Sequence, residues 1–498
     1  MIYSEIKKLV IYSIREKLID ESEYYYSINQ LLYLLKLDQF VDDNKQYDKI
    51  DFYQTINNIL DYAIKNNLIV NDTVANRDYF ESKVINCVCK RPKEIQEEFN
   101  NIYKKSPIRA TNWFYNYCKK TNYIKEERIK KDIRYSIKSK YGNLQITINL
   151  SKPEKDPLDI AKAKNKKEKE YPECQLCITN QGYPGSVSYS SRDTLRLIPI
   201  QLNKQEYFFQ YSPYSYFNEH GIVLNKDHIP MKIDKDCFIK LVEFVDKFPH
   251  YMIGSNADLP IVGGSILNHD HYQCGKYIFP MFKAKDLFSF KLDKFNLISA
   301  SFLNWPLSTI RLKSKNKKEI IEASDLIFSN WKKYTDKRLN IIAVDDKGIH
   351  NTITPILHKE NNLYVMDLVL RNNLTNDQYP LGIFHSHKEY WNIKKENIGL
   401  IEVMGLAILP SRLKEELAII QSDLLNKGEI VDQRVLHHKK WVESFINLYQ
   451  IDKNNIENIL KNEVGKTFVS ILECCGIFKI NNDTKYEVLK FISQINKW

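Results

Sequence analysis

Three polar side chains alternate in the segment "HDHYQ" near the middle of the chain: His269, His271 and Gln273. In an extended segment, residues i, i+2 and i+4 point to one face, so we expect these three to share a face. Gly263 and Gly264 precede them and let backbone N–H groups approach a ligand, which suits an anionic group. A histidine, with an ordinary pKa of about 6.5, can attack phosphorus or act as acid or base. Partly buried structural histidines are the alternative; the glycines and the glutamine favour function.

A second chemical signal is the pair Cys174 and Cys177 in "CQLC". Two thiolates at this spacing can occupy two corners of a tetrahedral zinc site. No second pair of this kind follows, so any remaining ligands must come from spatial neighbours, for which His228 and His269 are the natural candidates. Buried thiols and a redox pair remain as alternatives.

His385 and His387 repeat the alternating spacing, and His350 precedes them in the chain. These residues could line a second metal site, contact a phosphate or serve the structure only. The residues alone decide neither their role nor the identity of a second metal.

The elements around these residues follow from hydrophobic periodicity. Residues 1 to about 130 repeat apolar residues at three- and four-residue steps, which predicts helices. Strands are predicted at "YGNLQITINL", "TLRLIPIQL", "EYFFQYSPY", "HGIVL", "LNIIAV" and "NLYVMDLVL", and a helix at "KDCFIKLVEFVDKF". The lysine-rich "IAKAKNKKEKEYPE" is predicted to be a solvated helix or linker, and the chain is helical again after Pro410. This order predicts an α+β protein with antiparallel strands.

The composition excludes several classes of protein. A chain of 498 residues with 43% hydrophobic residues is globular and long enough for two to four domains. Lysine and arginine exceed aspartate and glutamate by 73 − 62 = 11, which fits anionic ligands but also follows from an AT-rich genome. Nine scattered cysteines favour a reducing compartment. Without a signal peptide or an 18-residue apolar window, we expect a soluble cytoplasmic protein that binds no membrane.

Several long stretches resemble one known family. "FQYSPYSYFNEHGIVLNKDHIPMKI", "FPHYMIGSNADLPIVGGSILNHDHYQ" and "PLGIFHSHKEYWNIKKENIGLIEVMGLAILPSRLKEEL" are similar to the Firmicutes-type, second-class galactose-1-phosphate uridylyltransferases. "ITINLSKPEKDP" and "YPECQLC" match as well, so the resemblance runs from about residue 75 to beyond 415. The family belongs to the histidine-triad superfamily. The resemblance therefore implies two histidine-triad-like antiparallel-sheet halves with helical N- and C-terminal extensions.

The resemblance also implies roles for single residues. His271 matches the family's nucleophile, and Gln273 matches the glutamine that hydrogen-bonds the phosphoryl oxygens. The family's first class binds zinc through residues that match Cys174, Cys177, His228 and His269, so a structural zinc is expected. Contacts to the substrate are expected from Asn256, Gly263, Gly264 and Ser265. Cys274 stands where the family has glycine, and a side chain there is expected to crowd the phosphates.

The implied reaction is ping-pong transfer of UMP from UDP-glucose to galactose 1-phosphate through a uridylyl-histidine, in galactose catabolism. A histidine-triad hydrolase or sugar-nucleotide phosphorylase would use the same nucleophile with water or phosphate as acceptor. A basic, zinc-stabilised nucleic-acid-binding protein is the alternative of another class, but no RNA-binding motif is present and no nucleic acid is expected as partner.

The expected boundaries are 1–130 for the N-terminal helical extension and 131–295 for the N-terminal uridylyltransferase domain. The C-terminal domain is expected at 296–415 and the C-terminal helical extension at 416–498. A homodimer is the expected oligomer.

Overall fold

The computed structural model describes residues 2–151, 171–185, 189–264 and 266–497. Most of the lysine-rich segment and Ser265 lie outside these residues. The α-helices are α1 Ile2–Arg15, α2 Tyr24–Leu35, α3 Phe52–Lys65, α4 Val74–Asn86, α5 Pro92–Tyr103, α6 Pro107–Lys120, α7 Glu126–Ile129, α8 Lys235–Lys247, α9 Lys317–Trp331, α10 Leu400–Val403, α11 Arg412–Lys427, α12 Lys439–Glu443, α13 Ile456–Cys475 and α14 Thr484–Asn496.

The strands are β1 Ile133–Ser139, β2 Gly142–Ile148, β3 Ile198–Leu202, β4 Gln205–Tyr211, β5 Gly221–Asn225, β6 Met252–Gly254, β7 His271–Gly275, β8 Asp286–Phe290, β9 Ser299–Leu303, β10 Thr309–Ser314, β11 Val344–Asp345, β12 Gly348–Ile349, β13 Asn351–Glu360, β14 Leu363–Asn372 and β15 Leu406–Leu409. Helical ends around a middle of antiparallel strands confirm the predicted α+β class. No helix in the described part of the chain is long and apolar enough to cross a membrane.

The central sheet has ten strands in the order β3-β4-β5-β7-β6-β13-β14-β10-β9-β8. It divides into two halves of identical topology. Each half begins with three consecutive antiparallel strands, which are followed by a helix, α8 or α9. Two further strands of the same sheet come next, and the second of them inserts beside the third strand of its half. The halves meet edge to edge through the equivalent strands β6 and β13, which pair antiparallel. Two antiparallel half-sheets are what the family resemblance predicted.

Side-chain alternation gives the sheet two different faces. Tyr272 and Cys274 of β7 belong to a core shared with Phe238 and Leu241 of α8 and Ile327 of α9. The opposite face is covered in part by a second core. That core includes residues of β6, β13 and β14 and packs against the three-stranded sheet β1-β2-β15 and against α13. Helices α1 to α4 form a separate apolar cluster.

Local sequence explains where α8 begins and which side it buries. The Asp234 carboxylate accepts a hydrogen bond from the backbone N–H of Cys237 at 3.2 Å, which caps the first turn. Phe238, Leu241 and Val245 recur at three- and four-residue steps and are buried. The same pattern predicted this helix from the sequence, and the prediction is confirmed.

One predicted strand is wrong. "LNIIAV", residues 339–344, forms a short 3₁₀ turn with Asn340 at φ +57°, an isolated bridge at Ile341, and only the first residue of the two-residue strand β11. Ile341 and Ala343 are buried although the backbone is not extended. The apolar run reflects burial of a connecting segment beneath the sheet, a pattern that periodicity cannot distinguish from a short buried strand.

A buried ion pair links the second half-sheet to the segment that follows β7. The Arg311 guanidinium donates to both Asp367 carboxylate oxygens, at 2.6 and 2.8 Å, and to the Met281 carbonyl at 3.0 Å. Arg311 is 2% exposed and Asp367 is fully buried. Neither charge is solvated, so each depends on the other.

Replacing Asp367 with Asn should therefore lower the free energy of unfolding by about 3–5 kcal/mol, because a buried guanidinium loses its counter-charge. The expected readout is a clear fall in melting temperature. Glu457→Gln removes the exposed i,i+4 partner of Lys461 and is the matched control, which should melt with the wild type. Equal melting of Asp367→Asn and the wild type would contradict this account of the pair.

Candidate active site and metal centre

The candidate metal centre consists of the four residues that the sequence pointed to. Cys174, Cys177, His228 and His269 place their ligand atoms within 4.8 Å of one another. Cys174 Sγ lies 3.5 Å from Cys177 Sγ and 3.3 Å from His269 Nδ1, and Cys177 Sγ lies 3.1 Å from His228 Nδ1. Four ligands at ordinary zinc bond lengths are separated from each other by roughly 3.3–3.8 Å. The separations therefore fit four ligands around one cation.

Both imidazoles present the nitrogen that a metal needs. His269 Nε2 lies 2.9 Å from the Asn225 carbonyl oxygen, which can only accept, so Nε2 carries the proton and Nδ1 keeps its lone pair. His228 Nε2 lies 3.6 Å from the Glu173 carboxylate, so its Nδ1 likewise faces the cysteines. Burial raises the pKa of the Cys177 thiol to about 12, whereas the pKa of Cys174 is lowered, because its hydrogen bond to His269 and its other polar contacts outweigh the effect of burial. The donor set fits a divalent metal.

Strands β5 and β7 carry these residues to one place. They pair antiparallel, with Leu224 opposite His271, so the chain after β5 and the chain before β7 lie side by side. His228 follows β5 and His269 precedes β7, which brings both to the same end of the pair. Because β7 begins at His271, His269 lies outside the strand, where its ring contacts the cysteines.

His271 is held in one tautomer by the backbone carbonyl of His269. Its Nδ1 lies 2.7 Å from the carbonyl oxygen of His269, so Nδ1 donates a proton and Nε2 keeps a lone pair. Burial lowers the pKa of the His271 imidazole, which keeps the ring neutral. Among the described residues, no hydrogen bond engages Nε2 of His271. A neutral imidazole with a free Nε2 lone pair can act as a nucleophile or a base.

Gln273 and Cys274 lie on opposite faces of β7. Gln273 follows His271 by two residues and shares its face, as predicted, and its Oε1 accepts a hydrogen bond from His220 Nε2 at 3.1 Å. Cys274 is fully buried on the other face, in the core with α8. The expectation that the Cys274 side chain crowds the phosphates is therefore wrong, because the pleat directs it away. A β-carbon on Gly221, opposite Cys274, would come within 2.9 Å of its Sγ, so the missing side chain at 221 makes room for the thiol.

The loop between β6 and β7 contains Asn256, Gly263 and Gly264. A β-carbon on Gly263 would lie 2.3 Å from the Ala257 carbonyl oxygen, and one on Gly264 would lie 2.6 Å from Asn256 Nδ2. Both glycines thus let the loop fold back on itself. Asn256 Oδ1 accepts the backbone N–H of Leu400 at 2.9 Å, which joins the loop to α10 of the C-terminal half. Ser265 lies outside the described residues.

Strain is stored in this loop. Ile261 adopts φ +74°, a left-handed conformation that β-branched residues rarely adopt because Cβ crowds the backbone. A β-carbon on Gly382 would lie 2.9 Å from Ile261 Cγ2, so the segment before His385 packs closely on this residue. Such outliers persist only where the surrounding structure holds them, and they concentrate at functional sites.

His350, His385 and His387, which the sequence offered for a second metal site, do not come together in one cluster. His385 Nε2 lies 3.2 Å from Asn397 Oδ1, and His387 Nε2 lies 3.0 Å from the Ile383 carbonyl. His350 bonds Asn373 Oδ1 through Nδ1 at 2.7 Å. Each therefore has its own polar partner and no common centre.

Of the equivalent strands β7 and β14, only β7 carries a histidine. The joint between the two halves is the pair of strands β6 and β13. One row of directly paired residues crosses it: Gln273, Gly254, Ile356, Asp367 and Arg311. Across the joint, the position that mirrors Gln273 is therefore Asp367, which is bound to Arg311. The residue two before Asp367 is Val365, where His271 stands in the first half. The second half thus replaces the candidate catalytic pair with an apolar residue and a structural ion pair.

Sequence reasoning missed His220. It lies just before β5, is buried, and contacts Gln273, but a lone histidine between Glu219 and Gly221 carries no spacing signal. Only the register of β5 against β7, with Ile222 opposite Gln273, brings the two side chains together.

Fold and site together describe a two-part α+β protein with one candidate active site, at His271, beside a Cys2His2 cluster. Two family models match the chain: galactose-1-phosphate uridyl transferase, N-terminal domain, over residues 17–230, and the C-terminal domain over residues 240–443. The chain belongs to the galactose-1-phosphate uridyl transferase family.

Curated relatives match over the full length. Galactose-1-phosphate uridylyltransferase of Clostridium acetobutylicum is 48% identical over 99% of this chain and 100% of that protein. The proteins of the same name from Clostridium perfringens strain 13 and Staphylococcus saprophyticus are each 44% identical. They cover 99% and 95% of this chain and 98% and 95% of their own lengths. The solved structure of yeast Ap4A phosphorylase Apa2 matches 77% of this chain and 97% of its own chain, at 10% identity and a TM-score of 0.36.

The metal centre can be tested by replacing one ligand. Cys174→Ser should lower both the bound divalent metal and the melting temperature, because metal binding contributes to the stability of the fold. Cys87→Ser, at another half-buried thiol outside the cluster, and His271→Asn should keep the wild-type metal content. Elemental analysis beside a thermal melt gives both quantities. A purified wild type that is stable and active without bound metal would overturn the metal centre.

Proposed function

We propose that this protein exchanges UMP between UDP-glucose and galactose 1-phosphate, giving UDP-galactose and glucose 1-phosphate. Family membership and full-length relatives that carry this name support the reaction class. The observation that carries the mechanism is the hydrogen bond from His271 Nδ1 to the His269 carbonyl, because it leaves Nε2 as a nucleophile.

The first half-reaction forms a covalent intermediate. Nε2 of His271 attacks the α-phosphorus of UDP-glucose, a P–N bond forms, and the bond from the α-phosphorus to the bridging oxygen breaks. Glucose 1-phosphate leaves with that electron pair. The ring becomes positively charged while Nδ1 keeps its proton, and the His269 carbonyl oxygen, 2.7 Å away, stabilises this charge by a charge-assisted hydrogen bond.

The second half-reaction reverses the first with another sugar phosphate. An oxygen of the galactose 1-phosphate phosphate attacks the same phosphorus, the P–N bond breaks, and its electron pair returns to Nε2. A covalent intermediate allows one pocket to receive two near-identical sugar phosphates in turn. No proton has to leave Nδ1 in either step.

Gln273 is the group proposed to bind the phosphoryl oxygens. It shares the face of His271 on β7, and its Oε1 is occupied by His220, so the amide N–H groups remain to donate. Asn256, Gly263, Gly264 and Ser265 are proposed to contact the substrate from the β6–β7 loop. The loop is tied to the C-terminal half through Leu400, which supports a site that uses both halves.

Zinc is the metal proposed for the Cys2His2 cluster, because two thiolates and two imidazoles in a closed set of four are the ligands of structural zinc sites. Bound there, zinc would hold Cys174, Cys177, His228 and His269 in register. The chain's own contribution is the carbonyl of His269, which fixes the neighbouring nucleophile.

His271→Asn should abolish the transfer of UMP, by roughly 10⁴-fold or more, while leaving the melting temperature nearly unchanged, because the nucleophile is lost without removal of a core side chain. The measurement is exchange between UDP-glucose and galactose 1-phosphate beside a melt. His437→Asn, at a half-exposed histidine of the C-terminal extension, is the control and should keep full activity. Near-normal exchange in His271→Asn would overturn the assignment.

Brief exposure of the wild type to UDP-glucose alone should add the mass of one UMP unit, seen by intact-protein mass spectrometry, and His271→Asn should gain none. A hydrolase would instead release UMP continuously from UDP-glucose.

With His271→Gly, uridine 5′-phosphorimidazolide should restore the second half-reaction, since the imidazole arrives with the donor.

A further inference from the structure

The side chain of Gln273 has one hydrogen-bond partner in the described chain, and it is a histidine. His220 Nε2 lies 3.1 Å from Gln273 Oε1, which can only accept, so the His220 nitrogen donates. In this arrangement His220 carries its proton on Nε2, and its buried Nδ1 has no hydrogen-bond partner among the described residues. Burial lowers the pKa of His220 to about 4, so the ring is neutral at physiological pH.

The ring of His220 packs against two aromatic side chains. The Phe217 ring centroid lies 4.4 Å from that of His220, and the Tyr216 ring stacks at 5.5 Å with an interplanar angle of 29°. Both residues belong to the turn that leads into β5. Because these contacts restrict the rotamers of the His220 side chain, its Nε2–H keeps one direction.

The backbone before His220 is held in an uncommon conformation. Glu219 adopts φ +54°, and its buried carboxylate accepts a hydrogen bond from the Tyr251 hydroxyl, which in turn contacts the Tyr211 hydroxyl at 2.8 Å. A β-carbon on Gly275 would lie 2.7 Å from the Glu219 carbonyl oxygen, so the absence of a side chain at the end of β7 permits this turn. Two buried tyrosines and a glycine thus hold a left-handed residue in place directly before His220.

We propose that His220 is a positioning residue that orients the Gln273 amide toward the phosphoryl group in the active site. The proposal rests on the proposed function, since it assigns Gln273 to the phosphoryl oxygens. His220 itself touches no reacting atom. Its contribution is to occupy Oε1, so that the amide of Gln273 presents its N–H groups and not its oxygen to the substrate.

The Gln273 amide needs a partner that fixes its orientation, because its two ends are nearly alike. The oxygen and nitrogen ends of glutamine have almost the same shape, so packing alone does not distinguish the two orientations. An amide turned by 180° would aim an oxygen lone pair at an anionic phosphoryl oxygen and would repel it. A fixed donor on Oε1 selects the productive orientation before the substrate binds, and such preorganised donors are worth most in the transition state.

The test uses two substitutions at the same site. His220→Phe keeps an aromatic ring against Phe217 and Tyr216 but has no hydrogen-bond donor for Gln273 Oε1. The kcat for UMP exchange should therefore fall about 10- to 100-fold, with a smaller change in KM. His220→Gln places an amide N–H group near the former Nε2 and should recover most of the rate. His250→Phe replaces a half-buried histidine outside the site, whose pKa burial also lowers to about 4, and serves as the control with near-normal kcat.

A double-mutant cycle separates positioning from mere support of the fold. In a Gln273→Ala background His220→Phe should cost almost nothing further in kcat, because the amide it orients is gone. The same fold-loss in both backgrounds, or an unchanged kcat in His220→Phe, would overturn the proposal. If His220→Phe does not fold, the comparison of His220→Gln with His220→Leu in both backgrounds decides it by the same criterion.

The rate at which the UMP adduct forms on the protein distinguishes failure of the proposed function from failure of the proposed role of His220. A wild type that forms no adduct on His271 with UDP-glucose refutes the proposed function. A wild type that forms the adduct, beside a His220→Phe variant that forms it equally fast at an unchanged melting temperature, refutes the role of His220 alone.

Discussion

One short hydrogen bond connects the two parts of the candidate site, the 2.7 Å contact between His271 Nδ1 and the backbone carbonyl of His269. The ring of His269 belongs to the Cys2His2 cluster, and its carbonyl sets the tautomer of His271. A displacement of His269 would therefore alter both the geometry of the Cys2His2 cluster and the orientation of the His271 ring. Since residues two apart share this bond, the spacing of the pair is a constraint of the chemistry as well as of the strand.

The symmetry of the sheet makes the asymmetry of the site informative. Two half-sheets of identical topology meet at β6 and β13, yet of the equivalent strands β7 and β14 only β7 carries a histidine. In the second half Asp367 is neutralised by Arg311 and is fully buried. A position that mirrors a candidate catalytic glutamine has thus become part of the core, and the second half contributes shape and loop contacts.

The sequence predicted those features that local patterns encode. Alternation in "YGNLQITINL" predicted β2, and the three- and four-residue steps of "KDCFIKLVEFVDKF" predicted α8. Cys174, Cys177, His228 and His269, far apart in the chain, were grouped by ligand chemistry and do lie together. The joint between the half-sheets could not be predicted, because β6 is only "MIG" and its pairing with β13 is a long-range contact. His220 was missed for the same reason, and "LNIIAV" was assigned wrongly because burial of a turn imitates a strand.

The loop from β6 to β7 is where these constraints meet. It leaves the joint at Gly254 and passes Thr352 of β13, whose hydroxyl bonds Asp258 at 2.5 Å. Through Asn256 it receives the backbone N–H of Leu400, and it ends at the strand that bears His271. Because these bonds attach the loop to β13 and to α10, a shift of the C-terminal half would reach the residues that precede His271. The left-handed φ of Ile261 lies in the same loop, packed against Gly382, so backbone strain is held in the segment that joins the two halves.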